Sequence, residues 1–100
     1  MNEVDFRAWL NNEGLSRKVQ GDLVSRIKKI ERTCGNCDID AEFNKDRCAF
    51  LLSLFRNKGL NADMERFGEM SLPIGKYHLS AYKYAVQKYV DYREVTSANE

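Results

Sequence analysis

The sequence predicts an all-α fold, a compact bundle of four to five helices in one domain. Apolar residues recur every three or four positions along most of the chain, and glycines fall mostly between these periodic segments. No segment alternates as a strand does, and Pro73 is the one proline. Because 100 residues bury too little surface for two cores, we expect a single domain over residues 1–100, with 1–3 and 95–100 frayed.

The first two predicted helices are each marked by an apolar stripe and a terminal glycine. The first covers residues 3–12 and ends at Gly14. Its apolar stripe comprises Val4, Phe6, Trp9 and Leu10. The second lies within residues 15–35, with Ser16 as N-cap and Gly35 as terminator. Its buried stripe comprises Val19, Leu23, Ile27, Ile30 and Cys34.

Two further helices complete the predicted bundle. The third begins at a capping Asp38 or Asp40 and ends at Gly59. Its stripe comprises Phe43, Cys48, Leu51, Leu52 and Phe55. Residues 61–70 fit one irregular helical turn, and a long last helix follows Pro73. The inner side of that helix comprises Leu79, Tyr82, Val86, Tyr89 and Val90.

The bulk composition excludes several classes of protein. With 43% hydrophobic and 31% charged residues, the sequence is typical of a soluble globular chain, and no run is long enough for a membrane span. The N-terminus lacks a basic region followed by an apolar run, so we expect no signal or transit peptide. Three cysteines fit poorly with a disulfide framework and favour free thiols in the cytoplasm.

The cysteines raise the question of a metal or redox site. Together with His78 they would supply the four ligands of a structural zinc site, namely Cys34, Cys37, Cys48 and His78. The first and third cysteines fall on apolar stripes, so core packing for these two and a loop thiol at Cys37 is the favoured interpretation. A Cys-x-x-Cys pair after a helix C-terminus is also poorly placed for a stabilised thiolate. We therefore expect no metal and no cofactor, and zinc is kept as a third alternative.

No catalytic set is visible, so we expect the protein not to be an enzyme. The chain has one histidine, no matched nucleophile, no glycine-rich phosphate loop and no pair of carboxylates on one face.

The distribution of charge is more informative than the net charge of +1. Residues 14–34 carry six basic residues against two acidic ones. One outer face of the second helix comprises Lys18, Ser25, Lys29 and Arg32. An outer stripe of the last helix comprises Lys76, Ser80, Lys83 and Gln87, flanked by Tyr77, Tyr84 and Lys88. Such faces suit the phosphates of a duplex, although ordinary solvation explains either face separately.

Two segments carry a resemblance to a known family. One contains an opening Phe-x-x-Trp-Leu helix and Gly-Leu-Ser leading into a basic Ser-Arg-Ile helix; the other is a closing helix with Ala-x-x-x-Tyr-x-x-Tyr. Over residues 5–93 the chain resembles the N-terminal core-binding, SAM-like domain of tyrosine recombinases of the lambda-integrase type, and similar domains of phage and restriction-associated nucleases. The resemblance implies a helical bundle whose second and last long helices lie against DNA, opposite a separate catalytic domain.

The resemblance thus implies a non-catalytic module that binds double-stranded DNA in recombination, integration or nuclease action. Two residues depart from the family's pattern. The family often has an aromatic residue where Leu23 stands, and it has no glycine at the position of Gly21. The catalytic domain is missing from this chain, so that domain or another protein is an implied partner and strand cleavage is not predicted. The implied DNA-facing residues are Lys18, Ser25, Arg26, Lys29, Arg32, Lys76, Ser80, Lys83, Tyr84 and Lys88.

A protein-binding module is the alternative function. A small mobile-element protein that inhibits a host nuclease fits a helical domain of near-zero net charge. A homodimer is a second form of this alternative, with Tyr77, Tyr84 and Tyr92 as interface anchors, because exposed tyrosines are favoured at interfaces.

Overall fold

Helices account for all the regular structure in the part of the chain that the computed structural model describes, which comprises residues 1–33, 37–67, 72, 76 and 79–98. The all-α prediction is confirmed for these residues. In chain order the elements are α1 (Glu3–Asn12), α2 (Arg17–Thr33), α3 (Ile39–Asp46), α4 (Ala49–Ser53), a 3-10 turn (Arg56–Gly59), α5 (Ala62–Phe67) and α6 (Leu79–Ala98). None of these helices combines the length and the apolar character that crossing a membrane requires.

Helices α1 and α2 form an antiparallel hairpin. The start of α1 lies beside the end of α2, where the Nζ of Lys28 is 2.7 Å from a carboxylate oxygen of Glu3. Between the helices Gly14 has a φ of +86°, a left-handed conformation that glycine adopts at little cost. The Ser16 hydroxyl accepts a hydrogen bond of 3.3 Å from the backbone N–H of Val19, which confirms the predicted cap.

Helix α6 packs against both members of this hairpin and closes the core. The ring of Tyr89 meets Phe6 edge-on, with 4.9 Å between the ring centroids, and Tyr92 lies 5.5 Å from the same phenylalanine. Trp9 extends the cluster at 6.0 Å from Tyr92. Phe6 and Tyr89 are fully buried, so truncating either ring to alanine removes about 3–5 kcal/mol of stability.

Most described residues of the predicted stripes are buried, and Trp9, Leu52 and Tyr82 are partly buried against the core, but two residues depart from the prediction. Val4 is 78% exposed and Val19 is 37% exposed, so neither belongs to the core. Gln20 is buried in place of Val19, because its side-chain amide donates a 2.8 Å hydrogen bond to the Leu15 carbonyl. Tyr92 was predicted to be an exposed interface anchor, and this prediction is wrong because the residue is only 5% exposed.

The predicted third helix is broken into α3, α4 and the 3-10 turn. Arg47 and Cys48 have φ angles of +57° and +63°, so the chain leaves the right-handed helix between Asp46 and Ala49. The backbone N–H of Arg47 still bonds the Phe43 carbonyl at 2.8 Å, and this closes α3. A carboxylate oxygen of Asp46 accepts from the Phe50 N–H at 3.0 Å and caps α4. The break directs the Cys48 side chain into the core, where it is fully buried.

A carboxylate network ties α3 to α6. Asp38 caps α3, accepting from the Asp40 N–H at 3.1 Å, which leaves the Asp40 carboxylate for other partners. The Tyr89 hydroxyl donates to it at 2.6 Å and Arg93 donates at 2.7 Å. Burial alone raises the pKa of Asp40, but these hydrogen bonds outweigh it, and the pKa lies below its ordinary value of 3.8. The network is structural, and it fixes where α6 crosses the bundle. Helix α6 continues to Ala98, into the segment predicted to fray.

Candidate nucleic-acid interface

The outer face of α2 is solvent-accessible along its length. Lys18, Ser25 and Arg32 are exposed, and Arg26 and Lys29 are half-buried at its edges. The opposite side of the helix packs into the core, so these five side chains lie on the side of α2 turned away from it.

Ion pairing separates the basic residues into two groups. Outside the predicted DNA-facing set, most cations lie beside a carboxylate, namely Arg7, Lys28, Arg47, Arg56, Arg66 and Arg93. Among the described residues, Lys18 is the one member of that set that forms an ion pair, an exposed one with Asp22 at 3.4 Å that is worth a few tenths of a kcal/mol. No carboxylate among the described residues pairs with Arg26, Lys29, Arg32, Lys76, Lys83 or Lys88.

The predicted face of α2 comes close to the first turn of α6. The Nζ of Lys29 lies 5.8 Å from the centroid of the Tyr82 ring, which is a cation–π contact. Tyr82 is in the first turn of α6 and precedes Lys83 in the chain. Cations of both helices are therefore available at one end of the α2 and α6 pair.

A cavity of about 320 Å³ lies between the start of α6 and the 3-10 turn. Its described lining residues are Phe55, Lys58, Lys76, Leu79, Ser80 and Lys83. The predicted residues Lys76, Ser80 and Lys83 thus come together around one cavity, with Phe55 and Leu79 as an apolar floor. Three of these described lining residues are lysines and none is a carboxylate, and this composition favours a local positive potential.

Sequence reasoning missed Lys58 as a member of this site. It lies in the 3-10 turn with a φ of +55°, between Asn57 at +52° and Gly59 at +81°. A helical pattern through residues 51–58 gives no sign of a left-handed turn, although the adjacent Asn and Gly are the residues that tolerate one. This turn places the Lys58 side chain at the cavity, opposite the side chains of α6.

Tyr84 and Lys88 belong to a different flank of α6. The Lys88 Nζ lies 5.6 Å from the Trp9 ring centroid and 6.0 Å from that of Tyr84. Its ammonium group therefore has aromatic partners from α1 and α6, and neither residue is among the described residues that line the cavity. The structure thus divides the residues predicted on the last helix into two groups.

The cysteines form no metal site in the described part of the chain. Cys48 is fully buried, and burial raises the pKa of its thiol to about 12, so it is an inert core residue as predicted. Cys37 is disulfide-bonded, which makes the prediction of a free loop thiol wrong. Cys34, His78 and Tyr77 lie outside the described residues. Within the described residues, no group of three or more potential metal ligands occurs.

In comparisons with known proteins, the chain matches no protein-family model, no curated protein and no solved structure.

Proposed function

We propose that this protein is a non-catalytic module that binds double-stranded DNA through the phosphate backbone. The contacts come from the outer face of α2, from Lys76 and from the first turns of α6. The cations involved are Arg26, Lys29, Arg32, Lys76 and Lys83, with Lys18 and Ser25 on the same face of α2. Ser80 adds a hydroxyl on α6.

The observation that carries the proposal is the sorting of the cations by ion pairing. A folded protein with nearly equal numbers of acidic and basic residues pairs many of them, and this chain does so over much of its surface. Within the described part of the chain, the cations on the outer face of α2 and at or just before the start of α6 have no carboxylate partner, with Lys18 as the exception. A cation without a counter-charge gains most from a phosphate, because none of its existing contacts has to be broken.

Counterion release sets the expected size of the effect. Each phosphate neutralised on B-DNA adds about 0.9 to the log-log slope of affinity against salt, which is about eightfold in affinity per contact at about 0.1 M salt. Such binding is weak and tolerant of sequence, because backbone contacts position a protein without reading bases.

The test compares two triple variants that remove the same charge. K29Q/R32Q/K83Q removes cations from the proposed interface, and K45Q/R47Q/R66Q removes exposed cations from α3, the α3–α4 break and α5. We expect the first variant to bind a fluorescein-labelled duplex more weakly in anisotropy titrations and to lower the salt slope by about 2 to 3. The second should retain the slope of the parent protein.

Three results would contradict the proposal. Equal binding by both variants would make the effect one of net charge alone. Absence of duplex binding by the parent protein at low salt would rule out the interface. A tight dimer by light scattering that is indifferent to added DNA would favour a protein-binding module.

A further inference from the structure

The cavity between α6 and the 3-10 turn differs from the open helix faces around it. Lys76 and Lys83, which the proposed function assigns to duplex contacts, also surround a concave site together with Lys58, and this site has apolar lining residues. Its floor consists of Phe55 and Leu79, which are 6% and 2% exposed. The combination suits a ligand that carries an anionic group and an apolar part together.

The electrostatics of the cavity favour an anion. None of its three lysines forms an ion pair in the described part of the chain, and like charges around one cavity repel each other. Leu79, Ser80 and Lys83 belong to the first turns of α6, so the positive end of the helix dipole adds to the same potential. An anion in the cavity would relieve this repulsion.

The volume of the cavity limits the size of the ligand. About 320 Å³ is at the lower end of the range of small-molecule sites, which is about 300–1,000 Å³. A bare phosphate ion would fill little of this space. A nucleotide carries both a phosphate and a flat aromatic group, and a single nucleotide is of about the right size.

We propose that this cavity binds one nucleotide, with the phosphate held by Lys58, Lys76 and Lys83 and the base against Phe55 and Leu79. The nucleotide is either a free nucleoside monophosphate or the 5′-phosphorylated end of a DNA strand. For the second source the inference rests on the proposed duplex binding, since the strand end would be delivered by that surface. For a free nucleotide, the inference does not depend on duplex binding.

The first experiment measures binding of dAMP, inorganic phosphate and deoxyadenosine to the full chain by ¹H–¹⁵N NMR titration. We expect saturable binding of dAMP with amide shifts in residues 55–59 and 79–83, and at least tenfold weaker binding of either half-ligand. No saturation by dAMP at millimolar concentration would overturn the inference. Phosphate binding as tightly as dAMP would overturn the base contact.

Substitution of Lys58 tests the site itself. Lys58→Asn is the variant of choice because asparagine tolerates the left-handed backbone at this position, so the turn is retained. The matched control is Lys45→Gln, an exposed lysine on α3 that also lacks an ion pair in the described part of the chain. We expect K58N to weaken dAMP binding about tenfold, as loss of a charge-assisted hydrogen bond does, and K45Q to leave it unchanged. Equal dAMP affinity in K58N and the parent protein, with unchanged thermal unfolding, would refute the assignment.

Competition assays distinguish the two sources of nucleotide and separate this inference from duplex binding. If the ligand is a strand end, a 5′-phosphorylated oligonucleotide displaces dAMP and its unphosphorylated counterpart does not. If it is a free nucleotide, neither oligonucleotide displaces it. Arg32→Gln should weaken binding of a blunt, unphosphorylated duplex and leave dAMP binding intact, because Arg32 lies on α2 and does not line the cavity. A parallel loss of dAMP binding in R32Q would contradict the cavity as a distinct site.

Discussion

The Tyr89 hydroxyl gives the sharpest test of how α6 is held in place. It donates a 2.6 Å hydrogen bond to Asp40 and accepts one of 2.9 Å from the Asn2 backbone N–H at the start of α1. Burial raises the pKa of Tyr89, so the hydroxyl keeps its proton and remains the donor. Tyr89→Phe removes both hydrogen bonds and leaves the ring in its packing site. Arg93 still pairs with Asp40 in the variant, so the carboxylate is not left without a partner.

The expected loss follows from the character of the two bonds. A hydrogen bond to a charged group contributes about 1.5–3 kcal/mol and one between neutral groups about 0.5–1.5 kcal/mol. Because the Asp40 side chain is 24% exposed, values at the lower end apply, and we expect Y89F to lose about 2 kcal/mol in free energy of unfolding. In a domain of this length such a loss lowers Tm by about 10 °C.

The loss should depend on pH in a defined direction. The folded-state pKa of Asp40 is lowered, so its contribution to stability is complete above the ordinary value of 3.8 and is lost as pH falls through the folded-state value. The difference between Y89F and the parent protein, about 2 kcal/mol at a pH of about 6, should therefore shrink as the pH is lowered through the folded-state pKa of Asp40. Urea unfolding followed by circular dichroism at several pH values measures it.

Tyr92→Phe is the matched control. Tyr92 lies in the same helix and aromatic cluster and is 5% exposed, but its hydroxyl has no hydrogen bond within the described structure. We expect Y92F to change stability by less than about 0.5 kcal/mol at every pH. Equal losses in Y89F and Y92F, or a loss in Y89F that does not vary with pH, would refute the role assigned to the Asp40 network.

Three further predictions concern the backbone and the thiol. Gly21→Ala should stabilise the protein by about 1 kcal/mol in thermal unfolding, because Gly21 lies within α2 and an added Cβ would meet no other atom. Gly14→Ala should destabilise the protein by a similar amount, because the backbone at Gly14 has a left-handed φ of +86°. Arg47→Gly should raise stability by about 0.5–1 kcal/mol, because the backbone at this position is left-handed and suits glycine. The ion pair that is lost is exposed and 3.8 Å long, so its loss costs little. Arg47→Ala is the control, because alanine does not relieve the left-handed backbone. Cys48 should resist iodoacetamide at pH 8 in the native protein and react after unfolding, as peptide mapping would show; rapid native labelling would contradict its burial.

Helical periodicity predicted the type and approximate position of most elements, because the buried stripes of α2 and α6 are long enough to set a face. It failed where a short segment has competing local hydrogen bonds. Residues 39–58 carry a continuous apolar pattern, yet Asp46 caps a new helix and Arg47 turns left-handed. The prediction that Val19 is buried was wrong for a related reason. The Gln20 side-chain amide donates a hydrogen bond to the Leu15 carbonyl, and Gln20 is buried instead.

The candidate interface was predictable only in part. Exposure of the basic face of α2 follows from helical geometry, since it lies opposite Leu23 and Ile27. Whether a cation is paired depends on residues far apart in the chain, such as Arg93 with Asp40, and no local pattern reports this. The assignment of Lys88 and Lys83 to different groups also required the tertiary structure, because the contact between Lys88 and Trp9 is not evident from the sequence.

Backbone strain distinguishes the Lys58 turn from the other left-handed positions. A residue with a Cβ costs about 1–2 kcal/mol in this conformation. At Cys48 the cost is offset by complete burial of the side chain, and at Arg47 it is offset in small part by an exposed ion pair with Glu94 at 3.8 Å. Lys58 is exposed and forms no ion pair in the described structure, so the fold gains nothing visible from a lysine there. Glycine would hold the same turn at lower cost, and the cavity is the feature of the molecule to which a lysine at this position contributes.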